Sequence, residues 1–147
     1  MPTRWIDQGA TQALLMYRVA TRQQSGLVEV AFKDLIADKT NWRAMLKGNA
    51  EDLDLVAHSN ELKQKLNTAI SAIITEHADN DIESVDDEVT NIQYPVLEFP
   101  KKISSHNFDK NPVVEGTLLG IKGQYLILDT GVINIRKFTS YETEVTL

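Results

Sequence analysis

Four residues near the N-terminus have the types and spacing for phosphate chemistry: Arg4, Glu29, Lys33 and Asn41. A lone carboxylate can hold one Mg2+, an ion that keeps several waters and needs only one or two protein carboxylates. Glu29 is that carboxylate. A nearby arginine, Arg4, then stabilises charge developing on a phosphate. Glu29 and Lys33 are four residues apart, so on a helix they share one face. The same two residues also read as an ordinary surface ion pair, worth roughly a few tenths of a kcal/mol.

Most other chemistries are excluded. The 147 residues include no Cys, which removes a disulfide scaffold, a cysteine zinc site and a thiol nucleophile. His58, His77 and His106 lack close metal-ligand spacing and read as surface or helix-face histidines. There is no phosphate-binding loop, dinucleotide fingerprint or G-x-S-x-G elbow. Asp79, Asp81 and Glu83 alternate as in a calcium loop, but Ser84 stands where glycine is required and Thr90 where glutamate is required. Gly120-Ile-Lys-Gly123 has the G-x-x-G spacing of an RNA backbone clamp. That clamp joins two helices and this stretch joins two strands, so a β-turn is the better reading.

The elements that must position these residues follow from periodicity. Ala13–Arg22 reads as a strand. Ser25 N-caps a helix to about Asp38, with Leu27, Val28, Ala31, Phe32, Leu35 and Ile36 at helical spacing. Asn41–Lys47 reads as a short helix stopped at Gly48. Asp52–Ala78 is one long helix whose stripe is Leu62, Leu66, Ile70, Ile73 and His77. An acidic connection, Asn80–Val89, follows. Pro95 and Pro100 bracket an edge strand at Val96–Phe99, and Asn107–Pro112 is a loop. Beyond it the spacing predicts strands at Val113–Ile121, Gln124–Leu128 and Val132–Phe138, with a fourth at Tyr141–Leu147. Lys122–Gly123 and Asp129-Thr130-Gly131 are the turns.

The fold class expected is α+β, in three parts. Residues 1–48 form a strand–helix unit, 49–92 the long helix and acidic connection, and 93–147 an antiparallel meander or small barrel. The formal net charge of −6 is strongly segregated. Residues 1–48 carry seven Lys/Arg against four Asp/Glu, 49–98 two against twelve, and 99–147 six against five. Overall acidity argues against bulk coating of DNA, yet a local basic site at the N-terminal end is allowed. No apolar run approaches the roughly 20 residues of a membrane helix. MPTRWIDQGA has no apolar signal core, which predicts a cytoplasmic protein.

Three stretches carry a family resemblance: PTRWIDQGATQAL at 2–14, GLVEVAFKDLIADKTNWRAMLKG at 26–48 and GTLLGIKGQYLILDTGVINIRKFTSY at 116–141. They resemble a bacterial family of uncharacterised proteins, domain of unknown function family 2797, which brings no established activity. Longer members have a cysteine-rich stretch and a strand ending in a Lys-Val-Gly-Ile-Thr motif before the part matching Pro2. Against them this chain resembles an N-terminally shortened member. That arrangement is in turn similar to the GIY-YIG nuclease superfamily: strand, strand with the Gly motif, helix with a catalytic Arg, strand, then a helix with a metal-binding Glu. The resemblance places Arg4 at the Arg, Ala13–Arg22 at the third strand and Glu29 at the metal carboxylate. Asn41 falls near the downstream Asn of the excision-repair module. The two tyrosine-bearing strands would precede Met1, and Tyr17 is a poor substitute, so catalysis is not expected of this chain. Mg2+ is implied only for a longer, active form.

Together these observations favour a nucleic-acid-associated protein contacting DNA or RNA through Arg4, Lys33, Arg43, Lys122, Arg136 and Lys137. The alternative is a protein–protein interaction module acting through the long helix and meander, self-association included. Ala13–Arg22 is expected to pair with the C-terminal meander or with a second copy of the chain. Trp5 and Trp42 are expected to be core anchors, although a Trp beside an Arg can also stack on a base.

Overall fold

The computed structural model describes residues 3–37, 39–49, 51, 53–76, 82–85 and 88–146. It is α+β, and the chain forms two compact units that interleave in sequence. One consists of Met1–Thr11, Asn41–Ala50 and Ile92–Leu147, and the other of Gln12–Thr40 and Glu51–Asn91.

The second of these units is built on two helices. Helix α2 (Arg22–Phe32) opens on a reciprocal cap. The Thr21 side chain accepts from the Gln24 N–H, and Gln24 Oε1 accepts from the Thr21 N–H at 3.0 Å. Thr21-x-x-Gln24 is the capping-box pattern, so the helix begins a turn before the expected cap at Ser25. It also ends early. The N–H groups of Leu35 and Ile36 both bond to the Phe32 carbonyl, and these two residues are exposed where a buried face was expected. Asp38 lies outside the described residues. Helix α4 (Leu55–Glu76) is the expected long helix, with Asp54 Oδ1 accepting from the Ala57 N–H. Asp52, His77 and Ala78 at its expected ends lie outside the described residues.

The predicted stripe is core. Leu66 and Ile70 of α4 are buried with Val28 and Phe32 of α2 and with Ile82, and Leu62, Ile73 and Ile74 pack around them. The expected strand at 13–22 is broken into β1 (Gln12–Ala13) and β2 (Tyr17–Arg18). Neither pairs with the C-terminal meander. β2 pairs antiparallel with β3 (Glu83–Ser84), inside the acidic connection, and β1 with β4 (Thr90–Asn91), just past its end. The Lys63 ammonium donates to the Val85 carbonyl at 2.7 Å, which ties this ribbon to α4. The Thr21 cap claims the end of the expected strand, because its N–H is bonded to Gln24 Oε1 and its carbonyl to the Ser25 N–H.

The other unit is built on a meander of β5 (Leu118–Lys122), β6 (Tyr125–Leu128) and β7 (Gly131–Asn134). Its edges are covered. Val96 bridges Gly120 antiparallel on one side and Ser105 bridges Val132 in parallel on the other. Covered edges offer no template to another chain. Tyr125, Ile127 and Val132 point to one face and bury Leu46 of helix α3 (Trp42–Leu46). Asn41, expected inside α3, is its cap, and Gly48, at φ +70°, ends the helix as expected.

Strand boundaries differ from expectation for reasons the turn residues supply. Residues 113–117 are not strand: Asp129 Oδ1 accepts from the Thr117 N–H and the Thr130 hydroxyl donates to the Glu115 carbonyl. The strand expected to run to Phe138 stops at Asn134, whose side chain accepts from the Arg136 and Lys137 N–H groups and starts a 3-10 helix, Ile135–Phe138. Phe138 is buried against Phe108 and Tyr141, with ring centroids 4.6 and 5.2 Å apart. Residues 141–146 form no fourth strand, and Leu147 lies outside the described residues.

Candidate functional site

The residues singled out for phosphate chemistry are divided between the two units. Glu29 and Lys33 lie exposed at the C-terminal half and cap of α2. Arg4 lies exposed on helix α1 (Thr3–Asp7), and Asn41 precedes α3, both in the unit that holds the meander. Asn41 Oδ1 accepts from the Ala44 N–H at 3.2 Å, so its amide oxygen serves the helix cap. Among the described residues no group of three His, Asp or Glu is placed to hold a metal. Glu29 belongs to no such group among the described residues. Asp79 and Asp81 of the rejected calcium pattern, and His77, lie outside the described residues.

Lys122 is not the surface contact it was expected to be. It is 2 % exposed, and its ammonium donates to the Met45 carbonyl at 3.0 Å. The rings of Phe99 and Tyr94 lie 5.2 and 5.8 Å from Nζ, close enough for cation–π attraction. The register explains its direction: Lys122 pairs with inward-facing Tyr125, as Gly120 pairs with Ile127. Burial pushes the Lys122 pKa down. Gly120 and Gly123 are structural too. A side chain on Gly120 would strike the Val96 backbone, and Gly123 has φ +57° with Asp7 and Gly9 against it.

The remaining basic candidates of this unit are exposed. The Arg43 guanidinium lies 4.4 Å over the Trp42 ring. Trp42 in turn stacks on Tyr125, with centroids 5.7 Å apart and planes 8° from parallel. Asn134 Nδ2 donates to the Tyr125 hydroxyl at 3.2 Å, which holds the far end of the stack. Trp42 thus packs on the core as expected. Arg136 meets Asp7 at 3.5 Å, and both side chains are well exposed, so the pair adds little stability. The Lys137 ammonium lies 5.1 Å over Phe138.

Trp5 is not a core anchor: it is 46 % exposed on α1, beside Arg4. Helix α1 is nonetheless firmly held. The single proton of the Tyr94 hydroxyl is shared between the Ile6 and Ala10 carbonyls, at 3.1 and 2.9 Å, and the Gln124 N–H donates to the Asp7 carbonyl at 2.9 Å. Burial, with Asp7 adding to it, raises the Tyr94 pKa. Sequence reasoning missed Tyr94, Tyr125 and Asn134. Their roles depend on partners far away in the chain, and no local spacing announces them.

The units also sort the charge. The meander-bearing unit carries nine Lys/Arg against seven Asp/Glu, a net of +2. The helical unit carries six against fourteen, a net of −8. No helix among the described residues is long and apolar enough to cross a membrane. A family model described as "Protein of unknown function (DUF2797)" matches residues 1–143. No curated protein and no solved structure matches the chain significantly.

Proposed function

The chain belongs to the DUF2797 family of proteins of unknown function, and from that premise we propose that it is a non-catalytic, nucleic-acid-associated protein. Its contact surface lies on the unit that carries net positive charge. One observation carries this reading: the exposed Arg43 guanidinium is held 4.4 Å over Trp42, which is itself stacked on Tyr125. A guanidinium oriented in this way presents its N–H groups to a phosphate at low entropic cost, and its plane can stack on a base. Arg4, Arg136 and Lys137 add charge on the same unit, and Lys33 on α2 is a secondary contact. Lys122 is withdrawn from the contact set because it is buried.

The remnant of a GIY-YIG-like fold rests on element order. An Arg-bearing helix, α1, is followed by short strands and by a Glu-bearing helix, α2. In that reading Glu29 is the position of a metal carboxylate.

The test is fluorescence anisotropy of a labelled oligonucleotide from about 50 to 200 mM salt. Affinity is expected to fall steeply with salt, and Arg43→Ala to weaken binding and flatten the salt slope by about one. Absence of salt-dependent binding, or binding indifferent to both Arg43→Ala and Arg4→Ala, overturns the proposal.

A protein-interaction role through the meander has one observation in its favour. Leu97, 89 % exposed, hydrogen-bonds to β5, where Leu118 and Ile121 are also exposed. The long helix adds nothing comparable, because its apolar stripe is used in the core. A chain that stays monomeric at high concentration in light scattering removes the self-association form of this role.

A further inference from the structure

We infer that Trp5 is a stacking platform for an unpaired base, so that the nucleic acid recognised is single-stranded. The inference rests on the nucleic-acid reading above and names its ligand class.

Tryptophan is highly buried on average, so one left half exposed on an ordered helix calls for a physical reason. Looseness is not that reason. The Trp5 carbonyl accepts from the Ala10 N–H at 3.0 Å, and the Tyr94 hydroxyl clamps the carbonyls of Ile6 and Ala10. Behind α1, Gly123 packs against Asp7 at a spacing that leaves no room for a side chain. The half-exposed indole is therefore carried on a backbone tied down by hydrogen bonds, and pre-organisation of this kind lowers the entropic cost of stacking.

Two arginines stand at α1, one of them, Arg136, paired with Asp7. Arg4 is the residue before Trp5 and is exposed, and Arg136 reaches the far end of α1 at Asp7. Single strands are bound by cationic tracks with aromatic faces on which bases stack. Trp42 cannot serve as that face, because it is already stacked on Tyr125 and covered by Arg43.

A duplex fits this unit poorly. Helices α1 and α3 have five residues each, or about 7.5 Å of axis, too short to track a major groove. The other common groove reader is a free two-stranded ribbon. Here both edges of the meander are occupied, by Val96 and by Ser105.

The experiment measures anisotropy of one labelled sequence as single strand, as duplex and as an abasic sugar–phosphate strand, with wild type, Trp5→Ala and Trp5→Phe. Circular dichroism checks that each variant is folded. The expected result is single strand bound about tenfold more tightly than duplex or abasic strand. Trp5→Ala should lose about tenfold, and Trp5→Phe should recover most of it. Equal or tighter binding of duplex or abasic strand, or a folded Trp5→Ala with unchanged affinity, overturns the stacking inference and leaves the nucleic-acid reading standing. No binding of any of the three overturns both. If Trp5→Ala fails to fold, the three-ligand comparison on wild type still decides.

Discussion

The Lys122 ammonium donates to the Met45 carbonyl at 3.0 Å from a position that is 2 % exposed, and so joins β5 to α3. A buried lysine is tolerated only where its charge finds partners, and here it has a carbonyl and two aromatic faces. Its long stem also packs, so truncation removes apolar contact as well as a hydrogen bond. Lys122→Ala is expected to destabilise the protein by about 2–4 kcal/mol, and Lys122→Met by about 1–2 kcal/mol because most of the stem volume is kept. Urea unfolding checks both, and two neutral variants would refute the buried placement.

The same lysine makes a pH prediction whose sign can be worked out. Burial disfavours the charged form, so the folded pKa lies below the ordinary 10.5. Between the folded value and 10.5 the unfolded chain binds more protons, so this group's contribution to stability rises with pH. Tyr17 and Tyr94 are shifted up by burial and act in the opposite direction above pH 10. Comparison with Lys122→Met cancels the tyrosines while the pH is below about 10, where Tyr94, whose ring lies beside the Lys122 ammonium, is protonated in both proteins. Wild type should gain on the variant as pH climbs toward about 10, measured as the difference in urea midpoints at matched pH.

Two glycines should respond in opposite directions to alanine. Gly123 sits at φ +57° and has the Asp7 carbonyl and Gly9 N–H where a Cβ would be, all backbone that cannot swing away. Gly123→Ala should cost at least about 2 kcal/mol. Gly26 lies inside α2 with nothing within 4 Å of an added Cβ. Gly26→Ala should stabilise by about 0.5–1 kcal/mol. Thermal melts of the two variants give the comparison.

The start of α2 can be tested by its cap. Thr21→Ala removes the side chain that accepts from the Gln24 N–H and should cost about 1 kcal/mol. Ser25 is inside the helix and exposed, so Ser25→Ala should leave the unfolding midpoint nearly unchanged. The reverse ranking would restore the helix start expected from spacing alone.

Asn41 separates a structural role from a binding role. Its side chain caps α3, so Asn41→Ala should cost about 1 kcal/mol and Asn41→Ser should restore it. If oligonucleotide affinity follows stability through both variants, the amide acts only as a cap. Affinity lost in Asn41→Ser, with stability intact, would mark a direct contact.

What the sequence determined by itself was local. The long helix was legible because Leu62, Leu66, Ile70 and Ile73 repeat on one face, and the burial of that face confirms the period. Asn41 and Gly48 bounded α3, and Asp129-Thr130-Gly131 marked a hairpin, because caps and turns are chosen by neighbours in the chain. The Thr21-x-x-Gln24 cap was equally legible, yet the apolar spacing after Ser25 drew the boundary elsewhere.

Tertiary structure decided the rest. β1 and β2 found partners some seventy residues away, in or just past an acidic stretch that has no strand period of its own. Arg4 and Glu29 fell into different units because the chain builds each unit from separated segments. Lys122 turned inward because its register opposite Tyr125 points it at α3, where a carbonyl was waiting. Trp5 turned outward although tryptophan is usually drawn to a core. Burial depends on what arrives from elsewhere to cover a side chain, and spacing along one segment does not carry that information.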